Sequence, residues 1–270
     1  MADVPTHLAL GVEYDGSRFH GWQSQPDHRS VQQTLEDALG RIAAAPVRVA
    51  ASGRTDAGVH ATGQVVSFTS AAERPDDAWL RGGNSLLPAG VAVRWVARVD
   101  PSFHARFSAT ARRYLYVIQE QPQRPALAGN YVTWSRQRLD DEAMHRAAQV
   151  LVGEQDFSSF RGAGCQARTP MRCIHQILVR RFESLVVIDV TANAFLLHMV
   201  RNIAGVLLDV GAAQRPAEWV GEVLARRDRK AASKTAPAGG LYLVEVHYGD
   251  CFQPPPPMAP LPLSGIRDLW

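Results

Sequence analysis

Ala50-Ala51-Ser52-Gly53-Arg54-Thr55-Asp56-Ala57-Gly58-Val59-His60-Ala61 sits between two runs of strand-like composition, Pro46-Val47-Arg48-Val49-Ala50 before it and Gln64-Val65-Val66-Ser67-Phe68-Thr69 after it. Gly53, Gly58 and Gly63 relax the backbone of the connection, yet it carries Arg54, Asp56 and His60 within seven positions. A plain hairpin turn has no need of them. The ordinary role of a loop aspartate is to cap its own backbone. Here two strands flank the loop, and a loop anchored on a sheet is a usual carrier of chemistry.

Outward from this loop, the N-terminal half alternates strands and helices. His7 to Tyr14 reads as a strand with Leu8, Leu10 and Val12 on one face. Asp15 to Gln23 follows as a glycine-containing loop with Arg18, Phe19 and Trp22, the two aromatics expected to fold back on the core. Ser30-Val31-Gln32-Gln33 has the form of a capping box, and Val31, Leu35, Leu39 and Ile42 recur at helical spacing. After the Asp56 loop, a helix near Pro75 to Leu86 leads to a strand from Val91 to Val99. The order βαββαβ is the ferredoxin-like pattern.

The C-terminal half repeats it. Ala111 to Ile118 reads as a strand with Tyr114, Tyr116 and Ile118 on one face; Asp140 caps a helix expected through Val152 and closed by Gly153; two strands follow, Ile174 to Phe182 and Ser184 to Thr191. Ala194 to Gly211 reads as a helix whose polar stripe is only His198, Arg201, Asn202, Gly205 and Asp209. A guanidinium on so apolar a helix needs a partner: Asp209, a backbone carbonyl, or a carboxylate elsewhere. Pro216 opens a last helix, Leu241 to Val246 is a strand, and Pro254 to Pro262 is an irregular proline-rich tail. The fold class expected is α+β, two ferredoxin-like halves with antiparallel sheets and a catalytic cleft between them, residues 1–108 carrying the aspartate loop and 109–270 carrying Tyr114 and Arg201.

Composition narrows the function classes. At 46% hydrophobic and 20% charged residues the chain reads as a soluble globular protein, with no apolar run near a membrane span and no leader-like N-terminus, so a cytoplasmic location is expected. Cys165, Cys173 and Cys251 lack a C-x-x-C spacing and are expected to be reduced thiols. No zinc motif, Rossmann loop or Walker loop occurs, so neither metal nor cofactor is expected. Net charge is only +3. Lys230 and Lys234 are the only lysines, and the remaining basic residues are arginines. They cluster at Arg112-Arg113, Arg180-Arg181 and Arg226 to Lys230, where phosphate contact is one reading and a solvated face the other.

Gly53-Arg54-Thr55-Asp56-Ala57-Gly58-Val59-His60-Ala61 resembles the signature loop of the bacterial tRNA pseudouridine synthase A family, in which the aspartate is catalytic. The loop Asp15 to Gln23, Tyr114 in Arg112-Arg113-Tyr114, His198 to Gly205, and Ala236 to Leu241 resemble further motifs of that family. Leu115 departs from the pattern, replacing a residue commonly basic there.

The resemblance implies isomerisation of uridine to pseudouridine at positions 38 to 40 of the tRNA anticodon stem-loop, on a base flipped out of its stack. Asp56 is then the catalytic carboxylate and Arg201 its basic partner. Tyr114 stacks on the extruded uracil, Arg54 fills the vacated space, and Leu241 lines the base pocket. It also implies a homodimer that binds the tRNA anticodon arm and needs no metal. Two other classes stand beside this one. A catalytically silent RNA-binding protein on the same fold predicts a tolerated Asp56 substitution. A metal hydrolase using Asp56 and His60 is disfavoured, because two residues do not make a three-ligand site.

Overall fold

The computed structural model describes residues 5–266. The chain divides into two compact units: one formed by the chain up to Thr110 together with Leu243–Pro260, the other by Ala111–Tyr242 together with the chain from Leu261 on. Among the described residues no helix is long and apolar enough to cross a membrane.

In the first unit β1 (Thr6–Tyr14) is followed by α1 (Val31–Ala43), β2 (Ala50–Ala51), β3 (His60–Ser70), α2 (Gly83–Leu86) and β4 (Val91–Arg98). The sheet runs β4-β1-β3 with β2 on the far side of β3, and every pairing is antiparallel. Ser30 caps α1 by accepting the Gln33 N–H, but Gln33 turns its own amide to Asp37, so only half of the expected capping box forms. Val31, Leu35 and Leu39 are fully buried.

Pro46 to Val49 is not a strand. The Glu36 carboxylate, buried on α1, accepts the Val49 N–H at 3.0 Å and the Arg48 guanidinium at 2.8 Å, which takes this segment out of the ladder. Pairing starts only at Ala50, opposite Ser67. A single turn of π-helix, Ala78–Gly82, precedes α2 and buries Trp79 against Phe68.

In the second unit β5 (Ala111–Glu120), β6 (Thr133–Ser135), α3 (Asp141–Ala148), β7 (Gly153–Asp156), β8 (Met171–Phe182), β9 (Leu185–Ala192), α4 (Met199–Gly211) and α5 (Trp219–Arg226) follow in order, and β10 (Leu241–His247) starts here and belongs to the first unit from Leu243 on. The sheet runs β5-β9-β8-β7, antiparallel, with β6 parallel on β5. Tyr114 through Ile118 are all buried, so β5 is covered on both faces. Asp140 caps α3 through the Ala143 N–H as expected, the helix tightens into a 3-10 turn over Gln149–Leu151, and Gly153, at positive φ, turns the chain into β7, a strand that sequence reasoning did not foresee.

The helix expected from Ala194 begins at Met199. His198 sits at φ +61°, the left-handed region, and cannot belong to a right-handed helix. β10 leaves the second unit, where Val117 N–H reaches Gly240 O at 2.8 Å, and ends in the first, where Tyr248 and Phe252 pack with Phe103.

Candidate active site

The loop between β2 and β3 is fastened from below by buried side chains. Ser52 continues the ladder through its N–H to Val65 O at 2.8 Å, and its hydroxyl donates to Gln64 Oε1 at 2.7 Å. Gln64 Nε2 returns to Gly53 O at 2.8 Å and reaches the Tyr14 phenol at 3.3 Å. That phenol meets Thr55 Oγ1 at 2.8 Å. Ser52, Gln64, Tyr14 and Thr55 are all buried, so the hydrogen bonds among these four side chains are made where water cannot replace them. Burial pushes the Tyr14 phenol up to about 12, against the smaller opposing effect of its bonds to Thr55 and Gln64, which keeps it a neutral donor.

A second clamp comes from the loop after β1. Trp22 N–H donates to Thr55 O at 3.0 Å, and Gly21, at φ +90°, passes so close that a Cβ there would lie 2.9 Å from Thr55 O and 3.2 Å from Asp56 C. Gly16 presses equally on Val59, whose carbonyl oxygen would stand 1.9 Å from an added Cβ. The Gly16 N–H donates to His60 Nδ1 at 3.1 Å. His60 Nδ1 also lies 3.4 Å from Asp15 Oδ1. The Gly16 N–H has a fixed hydrogen aimed at Nδ1, so that nitrogen accepts with its lone pair and the proton of the neutral ring sits on Nε2.

His60 is the first residue of β3 and 2% exposed, a brace for the loop. Phe19 and Trp22 are buried as expected. Among the described residues no group of three or more His, Cys, Asp or Glu side chains is placed to hold a metal ion.

Between these anchors Arg54 is exposed and Asp56 half-buried, with the Asp56 carbonyl taking the Val59 N–H at 3.1 Å. The loop thus presents a carboxylate from a backbone held on both sides.

The other expected site residues lie in the second unit. Tyr114, on β5, is buried with its ring edge-on to Phe195 at 5.0 Å. Arg201, in the first turn of α4, is half-buried, and its Nε donates to Ala236 O at 2.9 Å while Ala236 N–H returns to Arg201 O at 3.1 Å. One of the local partners foreseen for Arg201, a backbone carbonyl, is therefore present. Asp209, the other, accepts the Ser233 hydroxyl. Tyr116 hydrogen-bonds Pro237 O at 3.0 Å and Thr133, and its burial pushes the phenol far up. Leu241 opens β10 directly after this segment and is buried.

The arginine clusters are mostly spoken for. Arg113 grips Asp189 through two nitrogens at 2.9 and 2.7 Å, Arg180 reaches the same carboxylate at 3.3 Å, and Arg181 pairs with Glu120 and Asp141. Arg229 folds inward onto Asn202 Oδ1, Thr235 Oγ1 and two carbonyls. These guanidinium groups therefore have partners within the unit.

Sequence reasoning missed Tyr14, Ser52, Gln64 and Gly21, the residues that hold the Asp56 loop. Their only signal was side-chain type, since Tyr14 and Gln64 are 50 residues apart in the chain.

A family model described as tRNA pseudouridine synthase matches residues 11–108 and 147–249. The chain belongs to the tRNA pseudouridine synthase family, a class of isomerases. Over 262 residues it is 55% identical to a protein of Enterobacter sp. (strain 638) named tRNA pseudouridine synthase A, covering 96% of this chain and 97% of the relative. It is 55% identical over 258 residues to a protein of the same name from Escherichia fergusonii, covering 95% and 96%. Among solved structures it is similar to a Cbf5-Nop10-Gar1 complex with a TM-score of 0.38 and 11% identity, covering 87% of this chain and 48% of that one.

Proposed function

We propose that the chain converts uridine to pseudouridine at positions 38 to 40 of the tRNA anticodon stem-loop, with Asp56 as the catalytic carboxylate. The reaction breaks the bond from the sugar's C1′ to N1 and forms one to C5 of the same base. The C5 proton leaves and N1 gains one, so no water, nucleotide or redox partner is consumed. The target base must leave its stack to be reached. In this reading Arg54, exposed two residues from Asp56, fills the space it leaves; Tyr114 stacks on the extruded uracil; Leu241 lines its pocket. Arg201 is the basic partner of the catalytic carboxylate.

One observation carries the reading furthest: Thr55 and His60, on either side of Asp56, are buried and pinned, whereas Arg54 is exposed and Asp56 half-buried. A loop built only to connect two strands has no use for that alternation. The ferredoxin-like plan is supported by the first unit's order β4-β1-β3-β2, with α1 between the first two strands and α2 between the last two. The domain division we propose is 1–108 for the half with the aspartate loop and 109–270 for the half with Tyr114 and Arg201. The protein acts as a cytoplasmic homodimer on the tRNA anticodon arm.

The test is to incubate unmodified tRNA transcripts with wild-type and Asp56→Asn protein and map pseudouridine by position. Modification at 38 to 40 by the wild type, lost in the variant with tRNA binding retained, is the expected result. An active Asp56→Asn protein overturns the residue assignment, and modification elsewhere overturns the positions.

A further inference from the structure

His20 and His28 lie in the loop after β1, and their imidazole rings stack face to face with centroids 4.4 Å apart and planes 18° from parallel. Both residues are exposed. The loop that holds them is closed by its own bonds: Gln25 bridges His28, Gln25 Nε2 donates to His20 O at 3.1 Å, and His20 N–H donates to Arg29 O at 3.0 Å. Ser24 N–H adds a bond to Gln32 Oε1 at 3.2 Å, on α1. The next residue after His20 is Gly21, which passes against the backbone of Thr55 and Asp56. His20 thus adjoins the glycine that touches the candidate catalytic loop, and the loop's own bonds hold the His28 backbone beside it.

An exposed aromatic stack has no packing role that burial would explain. It does not suit a metal, because the nitrogen lone pairs lie in the ring planes and two nearly parallel planes give them no common point. It does not suit phosphate alone either: Arg29, whose guanidinium lies over the Phe19 ring at 5.2 Å, is offset by Asp27 in the same turn. What remains on offer is a flat imidazole face, the kind of surface on which unpaired bases stack in RNA recognition.

We propose that the His20–His28 stack is a platform for a substrate RNA base outside the helical stack, beside the uridine that Asp56 works on. The two histidines are positioning residues that bear on tRNA affinity and on choice of site. This inference rests on the pseudouridine synthase reading above.

The experiment compares wild type with two double variants, His20→Ala/His28→Ala and His20→Phe/His28→Phe, on one unmodified tRNA transcript. Loss of a base-stacking surface is expected to raise KM about five- to tenfold in the alanine pair. Its kcat and unfolding midpoint should stay at the wild-type values, and the phenylalanine pair, which keeps flat rings, should restore KM. An alanine pair with KM within about twofold of wild type overturns the proposal. So does a phenylalanine pair as impaired as the alanine pair, or a loss confined to kcat and the unfolding midpoint, the mark of a structural brace. Wild-type protein inactive on the transcript counts against the function itself; direct tRNA binding by the three proteins then decides the platform separately.

Discussion

The Tyr14 phenol meets the Thr55 hydroxyl at 2.8 Å across 41 residues of chain, so the first strand holds the neighbour of Asp56 by a buried hydrogen bond. Replacing Tyr14 by Phe leaves Thr55 Oγ1 and Gln64 Nε2 each short of a partner. We expect a loss of about 1–3 kcal/mol in denaturant unfolding. The rate of pseudouridine formation should fall further than tRNA affinity, since the loop loses position and not its contacts with RNA.

The same phenol makes stability depend on alkaline pH. Its acid dissociation moves from an ordinary value of 10 to about 12 on folding, because burial opposes the phenolate. Below pH 10 both folded and unfolded chains hold the proton and the stability is complete. Between about 10 and 12 only the unfolded chain releases it, so stability falls as pH rises through that window, by an amount on the order of 2–3 kcal/mol. Unfolding curves taken from pH 9 upward should show this decline, and Tyr14→Phe should reduce it without removing it, since Tyr116 is shifted in the same direction.

Gly21→Ala tests the second clamp. Its φ of +90° and the 2.9 Å approach of Thr55 O both oppose a side chain, and we expect a cost of about 1–3 kcal/mol in unfolding free energy. Because the strain falls on the Asp56 backbone, single-turnover rate should drop more steeply than tRNA binding. Wild-type turnover in this variant would show that the loop tolerates displacement.

Arg201→Ala is expected to reduce the single-turnover rate by about a hundredfold or more while tRNA affinity changes little, the pattern of a charge that acts on the reacting group. Equal loss of rate and affinity would assign Arg201 to holding RNA or to bracing Ala236.

Asn202 is fully buried on α4 and joins Phe160 O, Arg229 and Thr235 through one amide. Asn202→Ala removes a hydrogen bond from each of the three, although Arg229 and Thr235 keep one another, and should cost about 2–4 kcal/mol, read by denaturant unfolding.

Periodicity made most of the long elements legible: β1, α1, β3, β4, β5, β8 and β9 follow alternation or helical spacing that their own residues dictate. Where it failed, a distant side chain or one backbone angle intervened. Val49 looks like a strand residue but gives its N–H to Glu36, and His198 continues an apolar run but stands at positive φ. The short β6 and β7 have three and four residues, too few for alternation to register. In the site, Arg54, Asp56 and His60 stood out through their spacing. The network beneath them did not, because Tyr14, Ser52 and Gln64 meet only after β1 and β3 have paired.

Leu243–Pro260 completes the first unit although the second unit, up to Tyr242, is made before it. On a ribosome adding roughly 5–20 residues per second, the segment up to Thr110 waits on the order of ten seconds or more for the strand that finishes it. During that interval one side of β3 and the surface that receives Tyr248 and Phe252 stay open to other chains. The emergence of Leu243–Pro260, more than that of the segment up to Thr110, therefore sets the moment at which the aspartate loop acquires a finished foundation, and loss of that segment reaches a loop encoded almost two hundred residues earlier.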